Sequence, residues 1–478
     1  MLDIADRREI FWDGYVLEPS LTDASVRLHE PVRQEAVLVH DQPWEGDGSN
    51  YHNLLCDDGL IRMYYLGWEM LSKDKTQHST ARIRVCYAES TDGIHWTRPD
   101  LGLFEFDGSK HNNILFDPQG FCFDNFMVMR DDHPSCPPAE RYKGIAYYKE
   151  RTLWCFTSPD AIRFQPAWQL FDRQQGHYDS LNVAFWHPET QLYHCFYRSF
   201  HPALPGVAPA STRDIRHAVS KDFRCWSEPK LLDFSDSHDF PLYTNNVIPC
   251  PRLPHLLIGF PTRYVERMQW TANFDRLSGA EKRRQRYQCQ PRYGLTVTDG
   301  MFMSSRNGQD WHRFPEAYMR PGPERPNNWV YGDCYPARGL VTTPGRNSSA
   351  AELSMYLADN HWMSEPAVLY RHAVRQEGFA SCFAPYDARR MTTKPFRYDG
   401  ELLSINFATS AWGSLRITLT AEDGHALISG ELFGDSIDRI VDFENGTVTE
   451  LAGKIVRMEI VMRDADVYSF QFQAKTPQ

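Results

Sequence analysis

Four stretches of the chain repeat one short phrase: Ser90-Thr91-Asp92-Gly93-Ile94-His95-Trp96, Ser158-Pro159-Asp160-Ala161-Ile162-Arg163-Phe164, Ser220-Lys221-Asp222-Phe223-Arg224-Cys225-Trp226 and Ser305-Arg306-Asn307-Gly308-Gln309-Asp310-Trp311. Each sets an Asp or Asn two residues after a Ser and an aromatic ring six residues after it. Short polar side chains suit the tight turn that reverses a strand, and the aromatic that follows can pack back onto the sheet. The Ser recurs at intervals of 68, 62 and 85 residues, the spacing of four-stranded propeller blades with their loops. Radial repetition of this kind protects sheet edges. The phrase therefore predicts a β-propeller.

Around these turns the apolar runs are short and strand-like. Arg62–Leu66, Arg141–Lys149, Leu192–Arg198 and His255–Phe260 supply one strand to each of the first four blades. A fifth blade is expected from Asn328–Tyr331, Ser354–Leu357 and Leu369–Arg371, with an amino-terminal strand completing it. Helical periodicity is almost absent; the best candidate is Asp275–Gln285, inside a charged insertion between Tyr264 and Tyr293 of the kind that walls a pocket at a blade rim. Near Glu377 the texture changes. Leu402–Phe407, Ser414–Thr420, Arg439–Phe443, Lys454–Met462 and Val467–Phe472 alternate as the strands of a small sandwich do. The expected organisation is all-β: a five-bladed β-propeller over residues 1–376 and a C-terminal β-sandwich over 377–478.

A formal net charge of −11 argues against nucleic acid or an anionic membrane as partner, since either demands a basic field. The one basic run, Lys282-Arg283-Arg284 with Arg286, reads as a solvated loop or short helix. No apolar stretch approaches the roughly 18 residues of a membrane span, and Met1–Arg8 lacks the apolar core of a signal peptide. Eleven Cys without a C-x-x-C pair read as reduced thiols of a cytoplasmic protein.

In a propeller, the inner strands converge at one end of the central channel, so polar residues at their starts meet there. The five starts are Trp44-Glu45-Gly46-Asp47-Gly48-Ser49-Asn50-Tyr51, Phe123-Asp124-Asn125-Phe126, His177-Tyr178-Asp179-Ser180-Leu181-Asn182, Asp239–Asn245 and Asn328–Asp333. Each carries a carboxylate. With Tyr87–Trp96, these positions and a tail containing Gly434–Asp438 and Arg463–Phe470, the chain resembles the five-bladed propeller glycoside hydrolases of families 32, 43 and 68, the tail being similar to the sandwich of family 32.

The resemblance implies three acids, one from each of the first three blades. Asp124 matches an aspartate that orients substrate and Asp179 the general acid; Asp47 or Glu45 stands for the base or nucleophile. The first-blade W-M-N-D-P-N-G motif is absent, with Asn50 near its aspartate, and Asp179 stands where family 32 has Glu. Glycoside cleavage needs one neutral carboxyl to protonate the leaving oxygen and one ionised carboxyl across the sugar. Trp44, Tyr178, Tyr243, Trp270 and Trp329 are candidate stacking rings, with Asn50, His177 and Asp333 as further contacts. Arg198, Arg263 and Arg292 are candidate clamps for a carboxylated or hydroxyl-rich substrate.

No zinc spacing or nucleotide fingerprint is present, so neither a metal nor a cofactor is expected. The expected activity is hydrolysis of a terminal furanoside, such as a fructoside or arabinofuranoside, or of an uncommon sugar, from a small oligosaccharide. The alternatives are a phosphorylase like those of family 130 and a non-catalytic carbohydrate-binding propeller. A small carbohydrate is the expected partner, and a second copy of the chain is a candidate neighbour for the sandwich.

Overall fold

The computed structural model describes residues 1–70, 83–118, 123–203, 211–345, 350–362 and 365–475. Five four-stranded antiparallel sheets form the propeller. The first blade is Asn50–Asp57, Leu60–Gly67, Arg84–Ser90 and Ile114–Phe116; the second is Phe123–Arg130, Tyr142–Tyr148, Thr152–Ser158 and Gln165–Phe171. The third is Val183–His187, Leu192–Pro202, Ser211–Ser220 and Lys230–Leu231. The fourth, Ile248–Cys250, Leu253–Gly259, Met303–Ser305 and His312–Arg313, is interrupted by a ribbon of Thr262–Glu266 and Thr296–Gly300 that carries three helices. Val341–Thr343, Glu352–Asp359 and Val368–Val374 make the fifth blade with Val32–Val39 from the other end of the chain, which is the closure expected from the sequence.

The repeated phrase occupies one place in four blades, the turn from third to fourth strand. In every copy the Asp or Asn side chain accepts two backbone N–H groups at 2.8–3.0 Å: Ile94 and His95 on Asp92, Ile162 and Arg163 on Asp160, Arg224 and Cys225 on Asp222, Gln309 and Asp310 on Asn307. The Ser hydroxyl accepts the N–H two residues on at 3.2–3.3 Å. Buried asparagines on or just before the inner strands then tie neighbouring blades, Asn53 donating to the Val128 carbonyl (3.0 Å), Asn245 to that of Phe196 (3.2 Å) and Asn246 to that of Pro336 (2.7 Å). Pairing these buried polar groups fixes the blades around the channel.

Two local expectations are corrected. Asn328–Tyr331 is a turn, because Asn328 donates to the carbonyls of Pro321 (2.7 Å) and Pro323 (2.8 Å) and Trp329 takes a φ of 59°. The insertion folds as Ala272–Arg276, Ala280–Cys289 and Pro291–Leu295, with Gly279 at φ 72° breaking the single helix expected across Asp275–Gln285. Within it, Lys282 and Arg284 face solvent and pair with Glu365 and Asp275. Arg283 and Arg286, one turn apart on the other face, are each only 1% exposed, so the solvated reading of the basic run fails for these two.

In the second unit Leu402–Ala421 and Val456–Gln473 run antiparallel along their whole length, with an irregularity between Thr409 and Ser414. Asp435–Ile440 pairs the first half of Leu402–Ala421, and Ala426–Ile428 the second half. The two halves thus belong to the two layers of a sandwich, and Leu403, Ile405 and Phe407 meet Leu415, Ile417 and Leu419 in one core. Pairs of strands expected separately are therefore single, bent strands. Residues assigned from sequence to the propeller also join this unit: Leu2–Ala5 pairs Phe396–Tyr398, Arg8–Ile10 pairs Val456–Gln473, and Ser25–Leu28 pairs Ala380–Ala384. Their partners lie in the last quarter of the chain, which no local pattern reveals. The ten described cysteines are free, and Cys122 lies outside the described residues.

Candidate functional site

The third blade sets the geometry. Its second and third strands pair Phe200 with Arg213 and Arg198 with Ile215, and Arg198 and Phe200, two apart, share a face. Together with the approach to the inner strand, Gly176–Asp179, they wall a cavity of about 570 Å³. Arg151, Arg173, Arg198, Arg213 and Arg292 line it, against one lining carboxylate, Asp179. Tyr147, Tyr178, Tyr243, Tyr264 and Tyr331 complete most of the wall. A larger hollow of about 870 Å³ lies on the sandwich between Ser20–Asp23 and Thr418–Thr420, far from the inner-strand starts. Chemistry, not size, favours the channel cavity.

Hydrogen bonds and stacking hold these groups in place. The Tyr243 hydroxyl donates to the Asp179 carbonyl (2.8 Å), and the Tyr51 hydroxyl lies 3.3 Å from those of Tyr243 and Tyr331. The Arg213 guanidinium sits 3.9 Å from the centre of the Tyr264 ring, and that of Arg198 lies 4.6 Å from that of Phe200. Arg198 meets the Asp179 carboxylate, whose side chain remains 56% exposed while that of Arg198 is 3% exposed. Burial pushes the Arg198 guanidinium down to about 10.

Asp124 lies across the strand pair from Tyr147 and accepts from the Asn125 side chain at 2.8 Å. Protein surrounds it closely, although it keeps some solvent contact. Burial pushes its carboxyl up to about 7, with the Asn125 backbone and the Arg198 charge offsetting only part of the cost. Asp179, His177 and Tyr243, all singled out from sequence, thus line the cavity with Arg198, and Asp124, outside the lining, lies within reach of the Arg198 charge. Desolvation, then the Arg198 charge, lowers the His177 pKa.

The remaining sequence candidates are engaged elsewhere. Glu45 is wholly buried; burial opposes its ionisation, but His40, a hydrogen bond from Tyr65 (2.6 Å) and Arg98 (2.8 Å) hold its carboxyl below the usual range. Trp44 donates to Asn113 (2.6 Å), Trp329 to the Gly322 carbonyl (2.9 Å), and Arg263 forks onto Asp299 (2.9 and 2.7 Å). The Asn50 side chain accepts the Tyr51 N–H (2.8 Å). Asp47 accepts the Met70 N–H (2.8 Å) and Asp333 that of Val330 (2.9 Å). Both acids stand near Arg286, and among the described residues the cavity lining contains no first-blade carboxylate. Arg151, Arg173 and Arg213 escaped the sequence reading because they lie on outer strand ends and loops, where only the folded ring turns them inward.

Among the described residues no three His, Cys, Asp or Glu side chains converge on a metal position. Also among the described residues, no helix is long and apolar enough to cross a membrane.

Fold and site together define a five-bladed propeller with a cavity walled by five arginines, five tyrosines and one carboxylate. No family model matches the chain, and no curated protein matches it in sequence. Among solved structures, the Bombyx mori GH32 β-fructofuranosidase is 8% identical, covering 96% of this chain and 96% of its own, with a TM-score of 0.40. A fructofuranosidase from Schwanniomyces occidentalis is 10% identical over 95% of this chain and 98% of its own, with a TM-score of 0.40. An N-acetylgalactosamine deacetylase from F. plautii is 9% identical over 73% of this chain and 95% of its own, with a TM-score of 0.42.

Proposed function

We propose that the protein is a glycoside hydrolase that releases a terminal, negatively charged sugar from a small oligosaccharide. The observation that supports this is the pairing of Asp179 with Arg198 in a cavity lined by five arginines, with a second carboxyl of raised pKa, Asp124, within reach of the same guanidinium's charge. Environment sets the roles. Asp124, poised near 7, holds the proton that passes to the leaving glycosidic oxygen. Asp179, paired with Arg198, faces the positive charge that develops at the anomeric carbon. This moves the proton donor from Asp179, as expected from sequence, to Asp124, and gives Asp179 the part across the sugar expected of Asp47 or Glu45. The arginines fork onto the sugar's anionic group, and the tyrosine rings offer faces to its apolar side.

The arginines favour a second reading in which inorganic phosphate replaces water as the attacking group. Aryl glycosides of neutral sugars and of uronic acids, with and without phosphate, separate the possibilities. The expected result is phosphate-independent release from the acidic glycosides, falling by about 100-fold or more in Asp124→Asn and Asp179→Asn. Release only with phosphate would establish phosphorolysis. Tight binding without product would leave a carbohydrate-binding propeller.

A further inference from the structure

Beyond Tyr331 the interior holds two guanidinium groups without a hydrogen-bond partner among the described residues. Arg283 and Arg286, on the helix Ala280–Cys289, are each 1% exposed. Among the described residues, none of their six guanidinium nitrogens has a hydrogen-bond partner. His361 is wholly buried beside Arg286, its imidazole within reach of the Ser49 backbone. Gly332 presses close: at its φ of 96°, an added Cβ would lie 2.0 Å from the His361 ring, so only glycine lets the imidazole sit there.

The surrounding charges do not satisfy these donors. Asp333 and Asp47 act on Arg286, and Asp333 and Glu324 on Arg283, but only as through-space neighbours. Burial, then the charge of Arg283, pushes Arg286 down to about 9. A buried cation without hydrogen bonds is held at a cost to the folded state even after relaxation. Two forks one helical turn apart, with an imidazole alongside, match the acceptors of a single oxyanion group. The Tyr331 ring, packed on His361 (5.6 Å) and Trp362 (5.7 Å), separates this cluster from the cavity that it also lines.

We propose that Arg283, Arg286 and His361 form a second binding site for one oxyanion group, a phosphate, a sulfate or the charged group of an acidic sugar. The site stands independently of glycoside cleavage, because its test reads binding alone. Titration calorimetry and thermal unfolding of the full chain would use inorganic phosphate, sulfate, glucuronate and glucose 1-phosphate in turn. An Arg213→Ala background weakens the cavity so that the second site is read by itself.

Saturable binding is expected in that background, weakened at least tenfold by Arg286→Gln and less by Arg286→Lys, which keeps the charge but loses the fork. Binding of the inorganic ions marks a free-ion site, whereas binding of the sugar anions alone marks a subsite for the charged part of a sugar. Removing an unsatisfied buried cation relieves the free protein, so Arg286→Gln should unfold at or above the temperature of the ligand-free parent. That variant therefore remains a usable control. No saturable binding of any of the four, or binding that Arg286→Gln leaves unchanged, overturns the proposal.

Discussion

At the scale of single residues, burial has moved two carboxyl groups, Asp124 and Asp333, up to about 7. A carboxyl whose folded-state pKa exceeds the ordinary value binds its proton more tightly in the folded chain. Its stabilising contribution is therefore full below about pH 4 and is lost as pH rises through about 7. Asp333→Asn keeps an acceptor for the Val330 N–H, and should raise the unfolding temperature more at pH 8 than at pH 5. Equal shifts at both pH values would mean that Asp333 ionises freely. For Asp124 the same shift acts on rate. If it donates the catalytic proton, kcat/KM should decline above about pH 7, and the residual activity of Asp124→Asn should lack that limb. Sequence alone brought out Asp124 and Asp179 because both precede inner strands. It could not assign their roles, since these depend on Arg198, which lies 19 residues beyond Asp179 in the chain.

At the scale of the element, the turn phrase was the most legible part of the chain because its chemistry is local. The side-chain bonds of its Ser and its Asp or Asn join residues at most five positions apart, so the four copies declare themselves without reference to the fold. Asp160 accepts the Ile162 and Arg163 N–H groups and the Ser158 hydroxyl, and burial is outweighed by these bonds, which hold its carboxyl down at about 2. Asp160→Ala should cost about 1–2 kcal/mol at pH 7, most of it from backbone donors left without a fixed partner. A depressed carboxyl stabilises above its ordinary pKa and loses that contribution as pH falls toward 2. The difference between wild type and Asp160→Ala in denaturant melts should accordingly narrow below about pH 4. The insertion helix shows the opposite limit. Composition made its basic run look solvated, and only the one-turn spacing of Arg283 and Arg286, read against a known inward face, would have shown two buried cations.

At the scale of the whole molecule, the amino-terminal segment serves both units in turn. It gives three strands to the sandwich and then Val32–Val39 to the fifth blade. Between them Ile10 and Trp12 pack with Phe302 and Phe379, joining propeller and sandwich through one apolar core. Charges cross the same seam, with Arg8, Glu9 and Glu377 buried: Glu9 meets Arg306 at 2.9 Å, and Arg8 and Arg252 converge on Glu377 and the half-exposed Asp438. Removing one partner of such a buried network leaves the others uncompensated. The change of texture near Glu377 therefore marks a change of architecture rather than a place where the chain can be cut. A fragment of residues 377–478 should not fold alone, because it lacks the strands that pair with Phe396–Tyr398, Val456–Gln473 and Ala380–Ala384. The same fragment with residues 1–28 supplied through a flexible linker should regain cooperative unfolding, followed by circular dichroism and calorimetry. For the full chain, calorimetry should show a single transition. Two separated transitions, or a cooperatively folded 377–478 fragment, would show that the units fold independently and that the shared segment is added only afterwards.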